Sequence, residues 1–268
     1  MKKTIWWLIL FAGLGLVAAI LYFAMQKKEP ESQPQAPPRR EAPAAPAPPP
    51  APPAAPPIRY PIASKSQAKP LPALGESDAA VREALHGLWT DKILEQYFHL
   101  DDFIRRVVAT VDSLPRQKIA LRLMPLKPAA GKFLTTGKNE TLAMSPANAA
   151  RYAPYVRMAA AVDASKLVAL YVRFYPLFQQ AYQDLGYPKG YFNDRLVEVI
   201  DDLLAAPDAQ PPVRLVQPKV FYEFADPQLE ARSAGQKILM RIGRENESRI
   251  KSKLREIRNE LTREGPRT

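Results

Sequence analysis

Asp194, Glu198 and Asp202 recur at every fourth position in YFNDRLVEVIDDLL. With about 3.6 residues per turn, that spacing sets the three carboxylates along one face of a helix. A pair of carboxylates on a common face is the working set of a glycoside hydrolase, one as the acid and the other as base or nucleophile. The polar side of an amphipathic helix also collects carboxylates simply because they are solvated there. Just upstream lies GYPKGY, whose Tyr187, Lys189 and Tyr191 are the candidate binding residues. Aromatic rings beside a lysine on a turn between helices suit contact with a partner. The competing reading packs both rings over the helix ends with their hydroxyls in water.

Other constellations carry less. His86 and His99 lack HExxH spacing, and the chain has 0 cysteines, so no metal site, thiolate nucleophile or disulfide is expected. SQAK (from Ser66) and SRIK (from Ser248) match SxxK without the companion motifs of penicillin-binding enzymes, and no GxSxG elbow supports a serine triad. GKNET has Gly137 and Lys138 without the upstream glycine of a phosphate-binding loop. No catalytic residue is assigned and no cofactor is expected.

The elements that position these residues are mostly helical. DASKLVALYVRFYPLFQQAYQDLG places Leu167, Leu170, Tyr171, Phe174, Phe178, Ala181 and Leu185 on one stripe. Val168, Val172, Tyr175 and Tyr182 form a second. Apolar on two sides, this helix belongs in the middle of a bundle. Pro176 removes the hydrogen bond to the Val172 carbonyl and predicts a kink, and Gly186 is placed to end the helix. The next helix turns Phe192, Leu196, Val199, Ile200 and Leu203 inward and leaves Asp194, Glu198, Asp201 and Asp202 outward.

Upstream, Ser77 or Asp78 caps a helix carrying Val81, Leu85 and Leu88. TDKILEQYFH adds a short one, and LDDFIRRVVATVDSLP another that ends at Pro115. KFLTTGKNETLAMS reads as a small hairpin, and VRLVQPKVFYEF as an edge ribbon around Pro218. Between these, Ser145 and Pro146 form a cap and first turn for a helix. Near the C-terminus Ile250, Leu254, Ile257 and Leu261 make a narrow apolar seam, expected to dock against the body, with a coiled-coil or anionic-surface contact as the alternative. The expected fold is mainly α, a helical bundle with one or two small β-hairpins.

The beginning of the chain has another character. Residues 4–25 run uncharged, long enough for a transmembrane helix, with lysines at both flanks and aromatic residues at both ends. Their length and bulky end argue for an uncleaved anchor rather than a signal peptide. About half of the 29 prolines fall between Pro30 and Pro61, in an Ala/Pro segment that favours an extended spacer. The organisation expected is an anchor at 1–28, a linker at 29–72, a globular domain at 73–264 and a tail at 265–268. Net charge is +11, yet residues 73–229 hold 18 charges of each sign, so the excess lies in the first 72 residues and the last 39. A neutral body without a recognised motif argues against a nucleic-acid partner.

LYVRFYPLFQQAYQDLGYPKGYFNDRLVEVIDDLL, with MSPANAARYAPYV, LPRQKIALRLMPLKP and VRLVQPKVFYEFADPQLEARSAGQKILMRIG, resembles the bacterial domain-of-unknown-function family 3014 over roughly residues 58–262. The resemblance implies an N-terminal membrane helix, a Pro-rich linker and a domain of this size, and it transfers no activity and no site residue. The function expected is that of a non-enzymatic protein of the bacterial inner membrane, single-pass through residues 4–25, with its N-terminus inside. Its periplasmic helical domain would bind an envelope protein or a cell-wall component. The alternative is a cell-wall-acting hydrolase using carboxylates near the turn at 187–191. A third reading keeps the domain in the cytoplasm, its basic C-terminal helix on anionic lipid.

Overall fold

The structure, a computed structural model, describes residues 57–62 and 70–263. The apolar run at 4–25 and most of the Ala/Pro segment lie outside the described residues. Among the described residues no helix is long and apolar enough to cross a membrane.

Nine α-helices and two two-stranded hairpins make up the described body. Helices α1 (Asp78–Leu85), α2 (Asp91–Tyr97) and α3 (Phe103–Ser113) precede the first hairpin, β1 (Thr135–Thr136) and β2 (Ala143–Met144). Then come α4 (Asn148–Ala161), α5 (Ala164–Asp184) and α6 (Phe192–Leu204), a second hairpin of β3 (Leu215–Val216) and β4 (Glu223–Phe224), and finally α7 (Pro227–Glu230), α8 (Ala234–Arg241) and α9 (Arg244–Arg263).

Helix α5 is central, with α3, α6 and α9 packed around it. Most of both predicted stripes is buried, Tyr171, Phe174, Phe178 and Ala181 on one and Val168, Tyr175 and Tyr182 on the other, while Leu167, Leu170 and Val172 are half-buried. Phe174 is 0 % exposed. Leu185 departs from the expectation at 43 % exposed, because it is the residue capping the helix end and lies beyond the last packed turn. Pro176 does not divide the helix, which runs as one element of 21 residues. The proline is on the exposed face, where water can satisfy a freed carbonyl. The stop at Gly186 is as the sequence predicts. Its φ is 116°, and the amides of Gly186 and Tyr187 close back on the carbonyls of Gln183 and Tyr182 at 3.0 and 3.4 Å, the Schellman pattern.

Helix α6 buries Phe192, Val199 and Ile200 as expected, and also Val197 and Asn193. Asn193 is tolerated there because its side chain is bonded, Tyr171 donating to Asn193 Oδ1 at 3.2 Å. The seam of α9 docks against α4, α5 and α6, with Leu261 at 1 % exposure and Ile257 and Leu254 partly buried against the same core.

Helix α3 begins where the Asp78 carboxylate of α1 accepts from the amides of Asp102 and Phe103 at 2.8 and 3.1 Å, a cap supplied from another helix. Helix α4 starts at Asn148, later than the Ser145–Pro146 pair predicts. Those residues form a turn in which Asn148 N–H donates to the Ser145 carbonyl at 3.1 Å. The Asn148 side chain then pins the first hairpin by accepting from Leu134 N–H at 3.0 Å and donating to its carbonyl at 2.6 Å. The two hairpins are joined through Met144 N–H to Val213 O and Leu215 N–H to Leu142 O, both at 2.9 Å. Pro218 falls in the connection between β3 and β4.

Two outcomes follow from the buried centre. Phe174→Ala should cost about 3 to 5 kcal/mol in urea unfolding, whereas Leu185→Ala should stay within about 0.5 kcal/mol. Burial also holds the Tyr171 and Tyr175 phenols above their ordinary value of 10.0. A phenol whose value is raised by folding leaves stability intact below its unfolded value and removes it as pH rises past that point. The melting temperature should therefore fall above about pH 10, with phenolate absorbance from these residues appearing only on unfolding.

Candidate functional site

The turn at 187–191 is shaped by α5. Gln179 donates to Gly190 O at 2.7 Å and accepts from Phe192 N–H at 2.8 Å, so one amide side chain holds both sides of the turn. Gly190 must be glycine here, since a Cβ would sit 2.7 Å from the Tyr182 ring. The Tyr187 ring lies over Tyr182 with centroids 4.5 Å apart and an interplanar angle of 17°.

The Tyr187 hydroxyl does not end in water. It donates to Asp112 Oδ2 at 3.3 Å and accepts from Arg116 Nη2 at 2.9 Å. Asp112, in the last turn of α3, is 3 % exposed and is the hub of a charged cluster. It pairs with Arg116, and with Arg195 Nη2 at 3.3 Å, while Arg195 also donates to the Asp112 carbonyl at 3.0 Å. Arg195 Nη1 lies 3.3 Å from Glu198 Oε2. Asp112 Oδ1 and Arg195 Nε are buried without a hydrogen-bond partner among the described residues. A cleft of about 490 Å³ opens over this cluster, walled by Tyr187, Tyr191, Arg195 and Glu198 and, from the chain's own upstream segment, Pro57 and Arg59.

Tyr191 and Asp194 face that segment. Asp194 accepts from the amides of Arg59 and Tyr60 at 2.9 and 2.7 Å, one to each carboxylate oxygen. The Tyr191 hydroxyl accepts from Ile62 N–H at 2.6 Å, and Asn193 Nδ2 donates to Tyr60 O at 2.8 Å. Residues 57–62, which fall within the stretch read as linker, thus form a strap across the start of α6. Asp202 is far from this point in role. It accepts from Ser233 Oγ at 2.7 Å and Gln236 Nε2 at 3.1 Å, securing the capped start of α8.

Of the residues singled out by sequence, the structure gathers Tyr187, Tyr191, Asp194 and Glu198 around the cleft and leaves Asp202 apart. Lys189 is exposed on the turn. His86 stands 3.2 Å from Asp91, and His99 lines a different groove, with Asp101 and Lys127. No group of three or more His, Asp or Glu side chains that could hold a metal occurs among the described residues. The sequence reading missed Asp112, Gln179 and the strap. A lone aspartate in the apolar run VVATVD, and IRYPI interrupting an Ala/Pro tract, are the signals that could have found two of them.

Stability measurements separate the members of this site. Asp112→Ala strands the largely buried Arg195 and should cost about 3 kcal/mol, while exposed Glu198→Ala should stay within about 0.5 kcal/mol. Tyr187→Ala should lower the melting temperature, and replacement of the exposed Lys189 by Ala should shift it much less.

A family model described as a protein of unknown function, DUF3014, matches residues 103–258. No curated protein and no solved structure matches the chain.

Proposed function

The chain belongs to the DUF3014 family, and from that premise we propose that it is a non-enzymatic, membrane-anchored envelope protein whose helical domain binds a partner protein or a wall component. Residues 4–25 are the anchor, the Ala/Pro tract is the spacer, and the domain works in the periplasm of a bacterium. One observation carries the reading. Asp194, Asn193 and Tyr191 bond the last part of the spacer to the body through four hydrogen bonds. A domain whose tether is seated on its own surface is positioned by that tether, as a presented binding module requires.

The hydrolase alternative needs two carboxylates that reach one substrate. Both oxygens of Asp194 accept from strap amides, and both oxygens of Asp202 accept from the start of α8. Glu198 is paired with Arg195. These engagements favour the binding role.

A reporter active only outside the cytoplasm, fused after Thr268, should be active. Activity of a cytoplasm-only reporter at the same site would refute the placement. Cross-linking in intact cells followed by capture of the chain should recover a discrete envelope component, and loss of Glu198 should not abolish that capture.

A further inference from the structure

The strap is held mainly by its main chain, with the Tyr60 side chain also against the Arg258 guanidinium of α9. Its bonds to the start of α6 run from the amides of Arg59, Tyr60 and Ile62 and to the carbonyl of Tyr60. Between the second and third amides stands Pro61, which has no N–H and so leaves no donor of its own to satisfy there. Proline also restricts the residue before it, so fewer conformations of Tyr60 are open before it docks. Tyr60 and Ile62 add apolar contact against the core. The chain bends at Arg59 and Tyr60, which turns two successive amides onto the one Asp194 carboxylate, so main-chain bonds give hold while the side chains give choice.

The occupant is lightly held. None of residues 57–62 is buried, and residues 57–59 are exposed. Segments with few buried apolar contacts open at far lower free energy than the core does. The groove itself would persist when vacated, because Asp194 lies in the first turn of α6, where the helix dipole favours a carboxylate, and Asn193 stays bonded to Tyr171.

We propose that Tyr191, Asn193 and Asp194 form an exchangeable docking groove for a short bent peptide of a partner protein, of the pattern Arg–aromatic–Pro–apolar, with residues 58–62 as its resident occupant. Release of the strap exposes the groove, and the incoming peptide takes over the same bonds. The inference rests on the reading of the domain as a binding module but not on the compartment that holds it.

The test is a titration of a labelled peptide of residues 56–63 (PPIRYPIA) into the full chain in detergent. The strap-released chain Tyr60→Ala/Ile62→Pro loses a ring and an amide donor from the strap. A tethered segment has an effective concentration of order millimolar, so a strap seated most of the time implies a dissociation constant at or below about 0.1 mM for the free peptide. The wild-type chain should bind at least tenfold more weakly because its groove is filled, and adding Asp194→Asn to the released chain should weaken binding at least tenfold. Absence of saturable binding to a released chain that still melts cooperatively overturns the proposal. If that chain does not melt cooperatively, hydrogen exchange of the wild type decides. The Tyr60 and Ile62 amides should exchange at least a hundredfold faster than that of Phe174, and equal protection refutes an exchangeable strap. These readings involve neither a cellular location nor a captured partner, so they can fail while the proposed function stands.

Discussion

A helix of 21 residues that is apolar on two sides cannot lie at a surface, and the arrangement around α5 answers that constraint. Exposing either stripe would leave several large side chains in water, at roughly 1.5 to 3 kcal/mol each. The chain therefore surrounds α5 with α3, α6 and α9. The aromatic residues then set the local geometry. Phe178 and Phe192 lie parallel with centroids 5.9 Å apart, and Tyr171 contacts both rings. The start of α6 is thereby locked to the second half of α5, and the turn at 187–191 has one place to go.

Polar groups within this apolar setting serve as fasteners. Gln179, Asn193 and Asp112 each satisfy several partners, Gln179 closing the turn and Asn193 and Asp112 joining segments far apart in sequence. Asp112 brings α3, the turn and α6 together through Tyr187 and Arg195. Such a cluster specifies one arrangement of three elements at a cost in desolvation, because a partner moved away would leave a buried charge unmatched. The rigidity of the turn is thus electrostatic as well as aromatic.

This organisation gives the candidate residues their meaning. On the turn, Tyr187 looks inward to the charged cluster and Tyr191 looks toward the strap, so the aromatic pair is shared between internal support and peptide contact. The carboxylate row divides in the same way. Asp194 takes the strap, Glu198 balances Arg195, and Asp202 braces α8. A regular spacing on a helix face thus conceals three unrelated duties, since neighbours one turn apart meet different elements.

Local periodicity and terminators were enough to read most of the helices, though not the short α7 and α8, and the two hairpins, the centrality of α5 and the stop at Gly186, because these depend on residues within one or two turns. Even the docking of α9 followed from the spacing of Ile250, Leu254, Ile257 and Leu261. Other features depended on contacts across long stretches of chain. The burial of Asp112 and Asn193, the cap that Asp78 gives α3, the late start of α4 and the seating of residues 57–62 on α6 were decided by partners from 14 to 135 positions away. A polar residue in an isolated pattern reads as solvated. Only the tertiary structure, by surrounding it with apolar groups and supplying a partner, makes it internal.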